Sequence, residues 1–212
     1  MSKHSLVEGL FVYPTPIGCY YAISSPVEDK ARDFIKRLLQ LPSTPELNVE
    51  SLTKLMKVET QQEALELLHF CQKKGWIQGI KERIELPKGA LDKILPLLLD
   101  NLSETGEVLL SDAQGFHLSC SGFSNQTADQ LSAISAEIES VHNRRLDMLK
   151  NNLTIDSHAW AIVDAFGGSQ LGFWPIYIGN SQFVITITGI PHFNKPGFVT
   201  LIWALSNRYR HI

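Results

Sequence analysis

Three runs rich in β-branched and aromatic residues, Ala159–Phe166, Leu171–Ile178 and Gln182–Ile190, follow one another almost without interruption. Only Gly167-Gly168 and Gly179-Asn180 mark the breaks between them. Breaks that short leave no room for a crossover helix, so consecutive strands must pair as antiparallel neighbours. Residues 151–212 also carry only 3 Lys and Arg against 2 Asp and Glu. A stretch so poor in charge is expected to be mostly buried.

The segments on either side extend the pattern. Upstream, Leu131, Ile134, Ile138 and Val141 recur at helical spacing in a helix expected over Thr127–Leu149, with Ser132, Ala133, Ser135 and Ala136 beside that stripe. Before it, Val108–Ser111 and Phe116–Cys120 flank the turn Asp112-Ala113-Gln114-Gly115, which reads as a hairpin. Earlier still, Leu91, Ile94, Leu95, Leu98, Leu99 and Leu102 form an apolar helical stripe ended by Gly106. Pro96 lies inside it and predicts a kink or a late start. After the strands, Phe198, Ile202, Leu205 and Tyr209 predict a last helix over Pro196–Tyr209, with a sixth strand as the alternative. From residue 89 onward the order is α-β-β-α-β-β-β-α.

Residues 1–88 have a different pattern. Apolar and aromatic positions up to Ile23, broken by Pro14, Pro16 and Gly18, suggest a short hairpin or two strand pieces. Ser25-Pro26-Val27-Glu28 looks like a capping box for a helix carrying Phe34, Ile35, Leu38 and Leu39. A short helix is expected over Val49–Met56. A second capping box, Thr60 to Glu63, opens a helix with Ala64, Leu67, Leu68 and Cys71 inward, stopped by Gly75. Trp76-Ile77 and Arg83–Leu86 suggest two strands of a small hairpin. The sum is a winged-helix-like arrangement, a generic way to bury a small core. The chain is thus read as α+β, with a winged-helix-like domain over 1–88 and a second domain over 89–212.

That second domain resembles the Roadblock family, which includes dynein light chains, Ragulator subunits and bacterial activators of polarity GTPases. The resemblance rests on a leucine-rich helix leading into Glu107-Val108-Leu109-Leu110-Ser111-Asp112-Ala113-Gln114-Gly115, and on a long helix containing Ala136-Glu137-Ile138. It rests also on a strand ending in Val163-Asp164-Ala165-Phe166-Gly167-Gly168, and on a last helix opening with Gly197-Phe198. It implies a Roadblock/profilin-like domain, a five-stranded antiparallel sheet flanked by helices. It also implies a homodimer built through the long helix and a neighbouring strand, serving as a platform for a small Ras-like GTPase or another protein. The residues independently allow a helix with two buried faces, one on its own sheet and one on a partner. The expected dimer or partner interface is Leu131, Ser132, Ile134, Ser135, Ala136, Ile138 and Val141.

Chemical motifs are missing from the sequence. Gly167-Gly168-Ser169 lacks the Lys of a P-loop, and Ser119-Cys120-Ser121-Gly122 is not a nucleophile elbow. The seven histidines are scattered without HxH or HxxxH spacing, so neither metal nor cofactor is expected. Asp112 and Asp164 read as turn caps. Phe166, Phe173, Trp174 and Tyr177 could line a pocket, the basis of a small-molecule sensor reading, but core or contact surface is preferred. Arg144 and Arg145 complement a helix C-terminus. The first turns of the helix after Thr60 bear Glu59, Glu63 and Glu66, which disfavours DNA binding and a role as transcription regulator. The formal charge of −3 gives no pull towards an anionic membrane. No apolar run could span a bilayer. Three widely spaced cysteines without a CxxC pair, and no apolar leader, suggest a reduced, cytoplasmic protein. The expectation is a non-enzymatic scaffold or regulator.

Overall fold

In the computed structural model the described residues are Leu6, Val7 and Gly9–Tyr209. His4 and His211 of the histidine survey lie outside them. The chain divides into two compact units. Among the described residues, one takes those up to Lys88 together with Phe193–Tyr209, and the other takes Gly89–His192.

The first unit opens with β1 (Phe11–Pro14) and α1 (Pro16–Ile23). The hairpin expected before Ile23 is therefore a strand and a helix. Thr15 caps α1 by accepting from the Gly18 amide, and Pro16 occupies the first turn, where its missing N–H costs nothing. Next come α2 (Lys30–Leu38), α3 (Val49–Met56), α4 (Gln61–Lys73) and β2 (Ile77–Ile80). The cap of α2 is Asp29, whose carboxylate accepts from Ala31 and Arg32, and not Ser25. Thr60 caps α4 as its sequence suggests.

The expected hairpin within Trp76–Leu86 does not form. β2 pairs antiparallel with β1 instead, and Glu85 makes only an isolated bridge to Ser43. The winged-helix assignment is thus left without its wing. Phe34, Ile35, Leu52, Met56, Leu68, Cys19 and Cys71 fill the core.

α7 (Pro196–Arg208) belongs to this first unit. The sequence reading placed it at the end of the second domain. Its stripe of apolar residues marks a buried helix without naming the surface it packs on. Its polar atoms do name one: the Trp203 indole donates to the Leu41 carbonyl at 2.7 Å and the Asn207 amide to the Leu39 carbonyl at 2.8 Å. Those carbonyls follow the end of α2, where the helix cannot satisfy them itself. Tyr20 of α1 stacks on Phe193 and lies beside Phe198.

The second unit contains α5 (Leu91–Asp100), β3 (Val108–Asp112), β4 (His117–Ser121), α6 (Asn125–Leu153), β5 (Trp160–Val163), β6 (Ser169–Ile178) and β7 (Ser181–Thr188). α5 runs through Pro96 without ending there. The five strands form one antiparallel sheet in the order β4-β3-β7-β6-β5. β7 is central, and Phe183, Val184, Ile185, Thr186 and Ile187 are all buried, as a strand covered on both faces requires. α5 and α6 lie on opposite faces. The Ser121 hydroxyl reaches Asp100 of α5, while the Ser111 hydroxyl meets Ser135 of α6 at 3.0 Å.

Gly18 gives a direct test of the first unit. A Cβ there would lie 2.0 Å from the Trp76 carbonyl oxygen, a backbone atom with nowhere to go. Gly18→Ala is expected to destabilise the first unit by about 1–3 kcal/mol, read as a lower unfolding midpoint in calorimetry.

Candidate interaction surface

The rotation of α6 about its own axis decides which of its residues remain available. Ala128, Ser132, Ser135, Glu139 and His142 recur at intervals of three and four and are buried against the sheet. The first three of these residues are small. Ser135 donates to the Ser132 carbonyl at 2.7 Å and meets Ser111 at 3.0 Å. Small side chains let the helix come close to β3, β4 and β7. At the β3–β4 turn the approach is close enough that a Cβ on Gly115 would sit 3.3 Å from both the Ala136 Cβ and the Ser132 carbonyl oxygen.

The apolar stripe consequently turns away from the sheet it was expected to share. Ile134 is 43% exposed and Val141 42%, and Leu131, Ala136 and Ile138 are half-buried. Ser132 and Ser135, also in the expected interface, are covered by the chain's own sheet. Of the seven expected residues, the structure brings Ile134 and Ile138 together in one groove.

That groove has room for about 220 Å³ and is lined by Ile134 and Ile138 of α6, Trp160, Ala161 and Ile162 of β5, and Leu171 and Phe173 of β6. Strand alternation explains the lining. Trp160 pairs with Phe173 and Ile162 with Leu171, so all four face the α6 side of the sheet. β5 is an edge strand with every residue exposed, Ile162 at 57%. Its free backbone edge and the apolar groove are contiguous. Sequence reasoning missed the β5 residues as site residues. Their apolar run is visible in the sequence, but nothing in it shows which strand lies at the edge.

The other candidates fall in separate places. Phe166, 99% exposed, caps the β5–β6 turn, where the Asp164 carboxylate accepts from the Phe166 and Gly168 amides. Asp112 accepts likewise from the Gln114 and Phe116 amides in the β3–β4 turn. Both aspartates are engaged as turn caps. Trp174 points to the face opposite Phe173, and its ring lies over Gly172, where a Cβ would meet it at 2.1 Å. Tyr177 joins a buried polar cluster with His158 at 3.2 Å. Among the described residues no group of three or more His, Cys, Asp or Glu is arranged to hold a metal ion, and no helix is long and apolar enough to cross a membrane.

The two serines of the buried α6 face should respond oppositely to truncation. Ser135→Ala strands the Ser111 hydroxyl in the interior and is expected to cost about 1–3 kcal/mol. Ser132 Oγ has no protein partner, so Ser132→Ala is expected to be neutral or stabilising. Urea titration of both variants reads the difference.

The sequence matches no protein-family model, and no curated protein sequence matches it. Two solved structures are similar. One is the Roadblock/LC7 domain from Streptomyces avermitilis, 15% identical, covering 57% of this chain and 96% of its own, with a TM-score of 0.39. The other is Myxococcus xanthus MglB, 13% identical, covering 58% of this chain and 89% of its own, with a TM-score of 0.33.

Proposed function

We propose that this chain is a non-enzymatic, homodimeric regulator or scaffold whose second unit self-associates through α6 and β5 and offers the dimer to a protein partner. The observation that carries the reading is the groove between α6 and β5, apolar and continuous with an unpaired strand edge. A second copy answers both features at once. Antiparallel pairing of β5 with its counterpart satisfies the open edge, and the facing α6 stripes cover Ile134, Ile138 and Val141. Each Ile or Val withdrawn from water contributes on the order of 1–2 kcal/mol. Specific interfaces bury about 1,600 Å² in total, which a helix as long as α6 together with an edge strand can supply.

The class of partner follows from the family resemblance of the sequence, which implies a small Ras-like GTPase. Action would then come through the conformation of the switch loops. The unpaired thiols of Cys19, Cys71 and Cys120 fit a reducing, cytoplasmic setting. The first unit is a second protein-contact module in this reading. DNA binding is the poorer fit, because the exposed first turn of α4 is acidic and the Gln62 amide there is already bonded to Glu66 at 2.8 Å.

Light scattering tests the dimer. The wild type at tens of micromolar is expected at twice its 23.8 kDa chain mass. Ile134→Glu and Ile162→Lys, both at exposed positions, are expected to yield folded monomers. A wild-type monomer under those conditions refutes the proposal. Salt-dependent binding of duplex DNA in a gel-shift experiment would favour the transcription-regulator reading.

A further inference from the structure

Behind Trp160 the second unit buries an unusual set of groups. α6 turns Glu139 and His142 inward, one turn apart, at 5% and 1% exposure. His158, buried on the connection into β5, has its ring centroid 4.8 Å from that of His142. The His158 Nδ1 lies 3.2 Å from the Tyr177 hydroxyl of β6. Trp160, the first residue of β5, donates its indole N–H to His142 Nδ1 at 3.0 Å, with the rings nearly perpendicular.

An indole N–H can only donate. His142 Nδ1 must therefore be bare, and the neutral ring carries its proton on Nε2. That atom is buried without a protein partner, as is Glu139 Oε1. The same Trp160 whose indole is fixed in this way forms a wall of the groove proposed as the dimer contact.

We propose that this cluster makes self-association of the second unit pH-sensitive: a proton taken up on His142 Nδ1 releases Trp160, loosens the β5 wall of the groove and weakens the dimer. The proposal rests on the dimer reading above. Its chemistry is simple. Protonation turns an acceptor into a donor, so two N–H groups then face each other across a bond that is lost.

Groups on every neighbouring element act on the cluster. α6 contributes Glu139 and, at its end, Lys150, which pairs with Asp156 at 3.7 Å. The connection into β5 contributes Asp156 and His158, and β6 contributes Tyr177. On β7 the uncharged Gln182 is the residue opposite Tyr177. Glu139 favours a nearby positive charge, whereas burial and a second imidazole oppose it.

Burial, and then His142, push the His158 imidazole below the ordinary histidine value, while Glu139 and Asp156 pull the other way. A histidine lowered in the folded form binds protons less readily than in the unfolded chain. Stability is thus whole above the ordinary value of about 6.5 and declines as pH falls through it towards the folded value. That is the same direction as the proposed loss of dimer.

The test is a dilution series of the full chain by sedimentation equilibrium at about pH 7.5 and about pH 5.5, on either side of the ordinary histidine value. The expected result is a dissociation constant roughly tenfold larger at the acidic pH, a difference of ~1.4 kcal/mol. His142→Asn places a non-titrating carbonyl oxygen near the position of Nδ1. It is expected to dimerise at neutral pH and to lose most of the pH dependence. Trp160→Phe, which removes the donor and keeps an aromatic wall, is expected to flatten the dependence as well and serves if His142→Asn does not fold. With isotope-labelled tryptophan, one indole N–H resonance should move on acidification in the wild type, vanish in Trp160→Phe and stay fixed in His142→Asn. A wild-type monomer at both pH values overturns the dimer reading and this inference with it. A dimer with the same dissociation constant at both pH values, or with the same pH dependence in the wild type and the variants, overturns this inference alone.

Discussion

The short contact between α6 and the sheet sets most of what the second unit presents to its surroundings. Ser135 reaches Ser111 across that contact, and Gly115 leaves space for Ala136 and the Ser132 carbonyl. A larger residue at any of these points would lift or turn the helix. With the helix seated on its small residues, Leu131, Ile134, Ile138 and Val141 cannot reach the sheet interior. The rotation that satisfies the serines is the rotation that leaves an apolar stripe outward. It also carries Glu139 and His142 inward on the same face, one and two turns beyond Ser135. The groove and the buried polar cluster are thus two consequences of one packing choice.

Much of this unit was legible in the sequence because its signals are local. Gly167-Gly168 and Gly179-Asn180 define tight connections, and the runs between them carry strand-forming residues, so three antiparallel strands follow with little else needed. The β3–β4 hairpin is equally local. What the sequence did not disclose depends on long-range choices. Strand order decides that β5 lies at an edge and β7 at the centre, and no residue of either states it. The orientation of α6 is another such choice. Its apolar stripe looks like an inward face by periodicity, yet a helix that must approach closely uses its small residues for contact. Periodicity identifies a face without saying what covers it.

The first unit shows the same limits from another side. Thr60 and Gly75 bound α4 as the sequence predicts, since caps and left-handed glycines act within a few residues. Thr15-Pro16 is just as good a helix start, but the aromatic residues after it suggested strands. Burial of Cys19, Ala22 and Ile23 in a helix outweighs the strand preference of Tyr20, Tyr21 and Ile23. α7 joins the first unit, and distance is why its sequence does not show this. Its Trp203 and Asn207 satisfy carbonyls 162 and 168 residues away, and only the folded chain shows those carbonyls to be in want of donors.

The two edges of the five-stranded sheet are not equivalent, and the difference bears on function. Edge strands invite pairing with other chains, and proteins commonly blunt them with Lys, Pro, bulges or a covering segment. β4 carries His117, whose ring is tied to Asp129 of α6 at 2.7 Å, and Ser119 and Ser121 between its apolar residues. β5 reads Trp-Ala-Ile-Val, with no charge and no proline, and its one bulge comes at its last residue. Ile162, on the α6 side, and Val163 at the bulge are both apolar and exposed, at 57% and 55%. A strand left in that state is an aggregation hazard unless it is normally covered. The same is true of the groove beside it. Polar groups within reach of the groove, His142 and the Trp160 indole, are turned onto each other and away from water. The surface therefore has the chemistry of an interior, and the dimer we propose covers it with an edge and an apolar stripe of the same kind.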